Sequence, residues 1–252
     1  MTVSPPLAAR EYALGIAYLD GRYMPASQAT VSVFDHSLLY GDGAFEIAVF
    51  RNRRFSAFEA HYDHLVDSCC SIKLELHEVH DSLLRIATGL VTTNNIDNGY
   101  VRIVVSRGEG TPLSDPRKAL APTIVMTIQS QPPNEKSDRG LGLIIASTCR
   151  ISPDSLDPRA TLNNRGNNIV ARLEAIAADD VRDVRPAPLT PCDLYTAGEI
   201  FVTATGTGIA FVSEIHGRPI GDGKPGPVIA QLITACDRVL ERCDNLFAGI
   251  GT

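Results

Sequence analysis

Two stretches near the middle of the chain, YVRIVVSR (100–107) and PTIVMTIQ (122–129), are apolar at almost every position. Runs of this length and β-branched content read as buried strands. Ahead of them lie two amphipathic runs. One is expected to be a helix from about Glu59, with Tyr62, Leu65 and Cys69 on one face, and VHDSLLRIATGLV (79–91) repeats the pattern. Earlier still, GIAYLDGRYMPA (15–26) sets Asp20-Gly21 between two apolar runs, the signature of a two-residue hairpin. ATVSVFDHSLLYGDGAFEIAVFRNRRFSAF (29–58) reads as further strand-like runs separated by Gly-Asp-Gly.

The polar stretch SQPPNEKSDRG (130–140) interrupts this pattern and is the best linker in the chain. Beyond it come a strand (141–147) and DPRATLNNRGNNIVARLEA (157–175), which ends as an amphipathic helix. Ile169, Val170, Leu173 and Ala175 recur there at helical spacing and are expected to bury against a sheet. Asn163, Asn164, Asn167 and Asn168 are expected to cap and line the turn before that helix. GEIFVTATGTGIAFVSEIHGRPIG (198–221) reads as a strand, a Gly-rich turn and a hairpin through His216-Gly217, and GPVIAQLITACDRVLERC (226–243) as a last helix. The expected architecture is α+β: an N-terminal α+β domain at 1–129, a linker at 130–140, and a shortened C-terminal α/β domain at 141–252.

Composition excludes several classes of function. A net charge of −6 over 252 residues, with no Lys/Arg run, argues against nucleic-acid binding. The longest apolar stretch, LGLIIAS, is strand-sized, and the first residues lack the basic and apolar regions of a signal peptide, so no membrane association is expected. The six cysteines (69, 70, 149, 192, 236, 243) are scattered without C-x-x-C spacing and are expected to be reduced thiols of a cytoplasmic protein.

Four features carry candidate chemistry. TATGTG (203–208) offers hydroxyls and open backbone N–H groups to an anion, or is simply a tight turn. Arg102 and Arg107 lie five apart on one apolar strand, hence on opposite faces, and each needs a partner: a ligand carboxylate or a structural salt bridge. His61 and His64, three apart on a helix, read as partly buried histidines rather than a zinc site, because no further ligands stand at suitable spacing and no metal is expected. Cys69-Cys70 reads as core packing rather than a nucleophile.

Together these segments resemble the class IV aminotransferases, the fold type IV pyridoxal-phosphate (PLP) enzymes that include branched-chain and D-amino-acid aminotransferases and aminodeoxychorismate lyase. DHSLLYGDGAFE resembles that family's D-H-x-x-x-Y-G-D-G-x-F-E signature, RFSAFEAHYDHLVDS its F-x-L-x-x-H-x-x-R-L helix, and YVRIVVSRGEG its Y-x-R-x-x-x-x-R-G strand. LTPCDLYTAGEIFVTATGTGIAFVSEIHGRPIGDGKPGP resembles its closing segment. The resemblance implies a homodimer paired mainly through residues 12–130. It also implies a pocket for a small carboxylate-bearing molecule at Tyr40, Phe45, Tyr100, Arg102 and Arg107, with cofactor or anion contacts at His64, Arg165, Thr205, Gly206 and Thr207.

The departures fall on the cofactor. The phosphate-binding arginine of H-x-x-R-L is His64, and the tyrosine near the pyridine hydroxyl falls on Arg165. The family lysine, expected in D-P-R-x-K-[ST]-x-N, falls between Ala160 and Thr161, where DPRATLNN has nothing. The segment E-G-x-x-x-N-x-F, with the glutamate that pairs with the pyridine nitrogen, has no counterpart before VRDVRPAPLTP. Without the lysine there is no amine to hold the cofactor and no base for the α-proton, and histidine lacks the permanently charged fork of arginine. The expected reading is a relative that needs no cofactor, either an enzyme of another chemistry or a binding protein for an amino or 2-oxo acid. Two alternatives stay open. One is an active PLP-dependent aminotransferase, of branched-chain or D-amino-acid type, whose modified lysine is missing from the written sequence. The other is a structural dimer or scaffold.

Overall fold

The computed structural model describes residues 15–110, 115–131, 140–177, 191–204 and 208–246. By its internal contacts the chain divides into two units: Met1–Pro133 with the returning stretch Leu156–Asn164, and Asn134–Ser155 with Arg165–Thr252. The domain boundary expected from sequence assigns all of 141–252 to the second domain, whereas Leu156–Asn164 packs in the first unit. Most of the expected linker, 132–139, lies outside the described residues.

The first unit is built on β1 (Ile16–Leu19), β2 (Arg22–Pro25), β3 (Gly43–Arg51), β4 (Arg54–Phe55), β5 (Gly99–Ser106) and β6 (Thr123–Ser130). They form one antiparallel sheet in the order β2-β1-β6-β5-β3-β4. The Asp20-Gly21 turn between β1 and β2 has φ of 41° and 89°, as the hairpin expectation required. Asn52 and Arg53 make a similar turn between β3 and β4, with φ of 49° and 63°. A side chain in that conformation costs about 1 kcal/mol. Arg53 offsets the cost by donating to Asp97 and Asn95, each at 2.6 Å.

Helices α1 (His36–Tyr40), α2 (Phe58–Ser71) and α3 (His80–Asn94) complete the unit. Leu65 and Cys69 of α2 and Leu83, Ala87 and Leu90 of α3 pack with Phe50, Val101, Ile103, Val105 and Met126 in its core. Residues 29–35, expected to hold a strand, form no strand. The reason lies in Asp35, whose carboxylate accepts from the Ser37 amide (2.8 Å) and the Ser106 hydroxyl (2.5 Å) and so caps α1. Gly41, left-handed at φ 69°, ends that helix.

The second unit holds β7 (Leu141–Leu143), β8 (Phe201–Ala204), β9 (Gly208–Ile215) and β10 (Arg218–Pro219). Central β9 pairs parallel to β7 and antiparallel to β8 and β10. The strand expected at 141–147 is confined to β7, and the hairpin through His216-Gly217 is present, with φ of 51° and 72°. Helices α4 (Gly166–Ala177), α5 (Pro191–Thr196) and α6 (Pro227–Leu246) follow, with α6 against β9.

The expectation for α4 fails. Ile169, Val170 and Leu173 are 58%, 49% and 57% exposed, and the Ala175 side chain lies outside the described set. Polar ties hold the helix instead: the Glu174 carboxylate accepts from the amides and hydroxyls of Ser147 and Thr148, and Asn167 Nδ2 donates to Cys149 O at 3.5 Å. The Thr148 hydroxyl, contributing most, and the Ser147 and Thr148 amides and Ser147 hydroxyl hold the Glu174 carboxyl below its ordinary pKa.

Gly43 is where the returning stretch meets the sheet. A Cβ there would stand 2.6 Å from both Asn163 Nδ2 and Val105 O, and the second is immovable backbone. Gly43→Ala is expected to destabilise the first unit by about 2 kcal/mol, read as a lowered urea midpoint for the loss of near-UV signal from its tyrosines; an unchanged midpoint contradicts the assigned packing.

Candidate functional site

The stretch Asp157–Asn163 is shaped by local rules first. Asp157 Oδ1 accepts from the Arg159 amide (2.9 Å) and the Ala160 amide bonds Asp157 O (3.1 Å), so Asp-Pro-Arg-Ala closes a turn with Pro158 inside it. Arg159 grips Asp157 through its guanidinium at 2.8 Å and holds that carboxyl down at about 2. The chain then runs antiparallel along the edge of β3. Phe45 N donates to Thr161 O, Asn163 N donates to Gly43 O, both at 2.9 Å, and Leu162 bridges Ala44. Leu162 enters the core and Ala160 packs against it, so alternation sets Thr161 and Asn163 on the other face. Ser68 Oγ accepts the Thr161 amide at 3.0 Å, and Asn163 Nδ2 donates to Ser37 Oγ at 2.7 Å. Asn163 thus ties the strand to α1 instead of capping the helix that follows.

His64 reaches this stretch from α2. Its Nδ1 bonds Glu46 Oε2, and its Nε2 lies 3.0 Å from Arg159 O. Glu46 Oε1 also faces His61 Nδ1 (3.2 Å) and accepts the Ile47 amide (3.0 Å). The two histidines do face one way, toward one carboxylate. Burial pushes the Glu46 carboxyl up, but hydrogen bonds from His61, His64 and the Ile47 amide outweigh it and leave it below its ordinary value. The Glu46 hydrogen bond raises the His64 pKa. Sequence reasoning missed Glu46 as the partner of both rings; its signal was the F-E that closes the DHSLLYGDGAFE segment, two-residue alternation placing Glu46 on the helix side of β3.

The arginines separate. β-Register sets Ile47 beside Arg102 and Thr127, and Val49 beside Tyr100 and Gln129. Phe45, Tyr100 and Arg102 therefore share the face opposite α2, and the Arg102 guanidinium sits 3.9 Å over the Phe45 ring. Arg107 lies on the α2 side. Its fork grips both oxygens of Asp42 (2.6 and 2.9 Å) and donates to Ile72 O (2.7 Å) and Lys73 O (3.1 Å). The expectation that Arg107 anchors a ligand carboxylate is corrected: four of its five N–H donors bond the chain itself, and it lies across the sheet from Arg102.

The remaining expected residues belong to other elements. Tyr40 ends α1 and packs edge-on against buried His36 (5.2 Å). Arg165 lies in the second unit, where its carbonyl accepts the Ile169 amide of α4. Thr205, Gly206 and Thr207 lie outside the described residues, as does Lys136. Lys73, Lys118 and Lys224 are exposed and belong to other segments. Glu199 fills the first turn of α6, accepting the Val228 (3.2 Å) and Ile229 (3.0 Å) amides, which leaves those donors to no anion. Burial pushes the Cys69 thiol up to about 12, so it carries no thiolate at neutral pH. Among the described residues no group of three His, Cys, Asp or Glu side chains could hold a metal ion.

Where the resemblance sets the lysine, Ala160 and Thr161 stand at the turn that leads into the β3 bridge, and where it sets the phosphate arginine, the two nitrogens of the His64 ring face Glu46 and Arg159 O.

Arg107→Ala is expected to destabilise the first unit by about 3 kcal/mol, since it strands Asp42 and two carbonyls, and Arg107→Lys to recover less than half of that. Thermal denaturation of the three proteins checks this; equal midpoints contradict the structural role.

With that geometry in place, comparison with known proteins is direct. Residues 43–182 match the family described as Amino-transferase class IV. A putative branched-chain-amino-acid aminotransferase of Methanocaldococcus jannaschii is 30% identical over 269 aligned positions, covering 85% of this chain and 93% of that protein. A D-alanine aminotransferase of Listeria innocua is 25% identical over 85% of this chain and 92% of its own length. An alignment of 269 positions is longer than the 252 residues of this chain, so the relative carries segments this chain lacks. In structure, the T.th. branched-chain amino acid aminotransferase complexed with 4-methylvaleric acid superposes with a TM-score of 0.82 at 20% identity, over 91% of this chain and 95% of that one. The 4-amino-4-deoxychorismate lyase of Pseudomonas aeruginosa gives 0.65 at 18% identity, over 87% and 97%. Sequence and fold agree: this chain, with its mixed helix-and-sheet architecture, belongs to the class IV amino-transferase family.

Proposed function

We propose that this family member binds a small amino or 2-oxo acid without PLP, on the sheet face that carries Phe45, Tyr100 and Arg102. The observation that carries the reading is that both positions expected to anchor the cofactor bond within the chain: His64 to Glu46 and Arg159 O, and Ala160-Thr161 to Asp157 O and the Phe45 amide. Arg102, over Phe45 and on one face with Tyr100, is the cation that favours a carboxylate there. The relatives are named for branched-chain amino acids and D-alanine, and one structural neighbour is complexed with a carboxylic acid that has no amino group, which favours a ligand of that class.

The reading includes a homodimer. Val31, Val33, Phe34, Leu38, Leu39 and Tyr40 are between 39% and 67% exposed along one short stretch of the first unit, an apolar surface that favours a partner. It also includes a reducing, cytoplasmic setting, in keeping with free thiols at Cys69, Cys70, Cys149, Cys192 and Cys236. No helix among the described residues is long and apolar enough to cross a membrane.

The test combines a spectrum with a ligand screen. After incubation with PLP and dialysis, the protein is expected to keep no visible absorbance band. Ala160→Lys, which restores an amine without shifting the pairing of Thr161 with Phe45, is expected to behave likewise. A retained band with transaminase turnover in the unaltered chain sinks the proposal. In thermal-shift titrations 2-oxo acids are expected to raise Tm, and Arg102→Ala to weaken the best of them at least about tenfold.

A further inference from the structure

The His64 ring has an acceptor at each end. Arg159 O is a carbonyl and has no proton to give, so the bond at 3.0 Å exists only if Nε2 carries a hydrogen. Glu46 is the acceptor at Nδ1, and its other oxygen already takes the Ile47 amide at 3.0 Å and faces His61 at 3.2 Å. An ionised carboxylate meeting donors on every side leaves the proton of the second contact on Nδ1 as well. Both contacts together therefore require the doubly protonated ring.

We infer that His64 is a proton-operated latch: as the imidazolium it ties the stretch 160–163 to α2 and β3, and on losing its proton it releases the Arg159 end of that stretch. Nε2 is the nitrogen that gives up its proton, because a lone pair at Nδ1 would face the Glu46 carboxylate. The neutral ring then turns a lone pair toward Arg159 O, and attraction becomes repulsion.

The surroundings favour the charged ring. Glu46 on β3 holds the His64 pKa above its ordinary value against the opposing effect of burial, with the Arg159 carbonyl and Asp67, also on α2, adding to it. The other ionisable groups facing this corner are His61 on α2 and the Asp157–Arg159 pair on the turn, which is internally neutral at 2.8 Å. The sign follows directly. A group whose folded pKa is raised holds its contacts below that value and loses them as pH rises through it, so the latch is closed below the raised His64 value and opens as pH passes above it. Thr161 and Asn163 stand on the same face as Arg102, so release removes one wall of that face.

Hydrogen exchange followed residue by residue by NMR tests this on the whole chain. The reporters are the Phe45 and Asn163 amides, which bond across the strand pair at 2.9 Å, with the Ile103 amide inside β5 as an internal reference for the intrinsic pH dependence of exchange. The His64 ring is expected to titrate above the ordinary histidine value, and the protection of Phe45 and Asn163 relative to Ile103 to fall about fivefold or more across that titration. His64→Gln, which cannot hold a charge, is expected to show the lowered protection at every pH. His64→Arg, permanently charged, is expected to show high protection with no pH step. Glu46→Gln should lower the His64 titration. The inference is overturned if His64 titrates at or below the ordinary value, or if relative protection at Phe45 and Asn163 is flat across its titration in the unaltered protein.

Discussion

The antiparallel pairing of Thr161–Asn163 along the edge of β3 is the interaction on which the rest of the first unit's geometry depends. It brings Leu162 into the core beside Ala44, sets Thr161 and Asn163 on the Arg102 face, and presents the Arg159 carbonyl to His64. The pairing is possible because residue 43 is a glycine, with the Val105 carbonyl so close behind it that no side chain fits. A polar tie reinforces each end: Ser68 Oγ at the Thr161 amide and Ser37 Oγ at the Asn163 side chain.

Two charged clusters flank this strand on the helix side of the sheet, and both are turned inward. Asp42 and Arg107 neutralise each other in a forked pair while the same guanidinium satisfies the two carbonyls that follow α2. Glu46 accepts from two histidines and an amide. A charge committed to three partners in a half-buried setting contributes to order and is costly to redirect toward a ligand. Arg102 stands on the opposite face of the same sheet, over the Phe45 ring. That opposite placing of neighbouring arginines comes from the two-residue period of a strand.

In the second unit, apolar spacing and burial disagree at one helix. Its α4 keeps the apolar spacing of a buried helix, yet Ile169, Val170 and Leu173 are exposed, and the helix is held through Glu174 and Asn167. In the first unit, α2 and α3 bury the faces that their spacing predicts.

What could be read from the sequence were the features set by local rules. The turns at Asp20-Gly21 and His216-Gly217, the helices around Leu65 and Leu83, and the strands at Gly99–Ser106 and Thr123–Ser130 follow from turn chemistry and from periodicity, each contained within a few residues. The opposite facing of Arg102 and Arg107 was legible for the same reason. The helix at His36–Tyr40 was missed because its cap, Asp35, is also bound by Ser106, far along the chain. The Asn52-Arg53 turn was missed because Arg53 tolerates its backbone only with Asp97 and Asn95 beside it. Only the tertiary structure could decide the partners: that Arg107 belongs to Asp42, that His64 bridges Glu46 and Arg159, and that Leu156–Asn164 returns to the first unit. Spacing along a chain determines which side chains can share a face. Which group then occupies a charge depends on contacts between segments far apart in sequence, and those exist only once the sheet has closed.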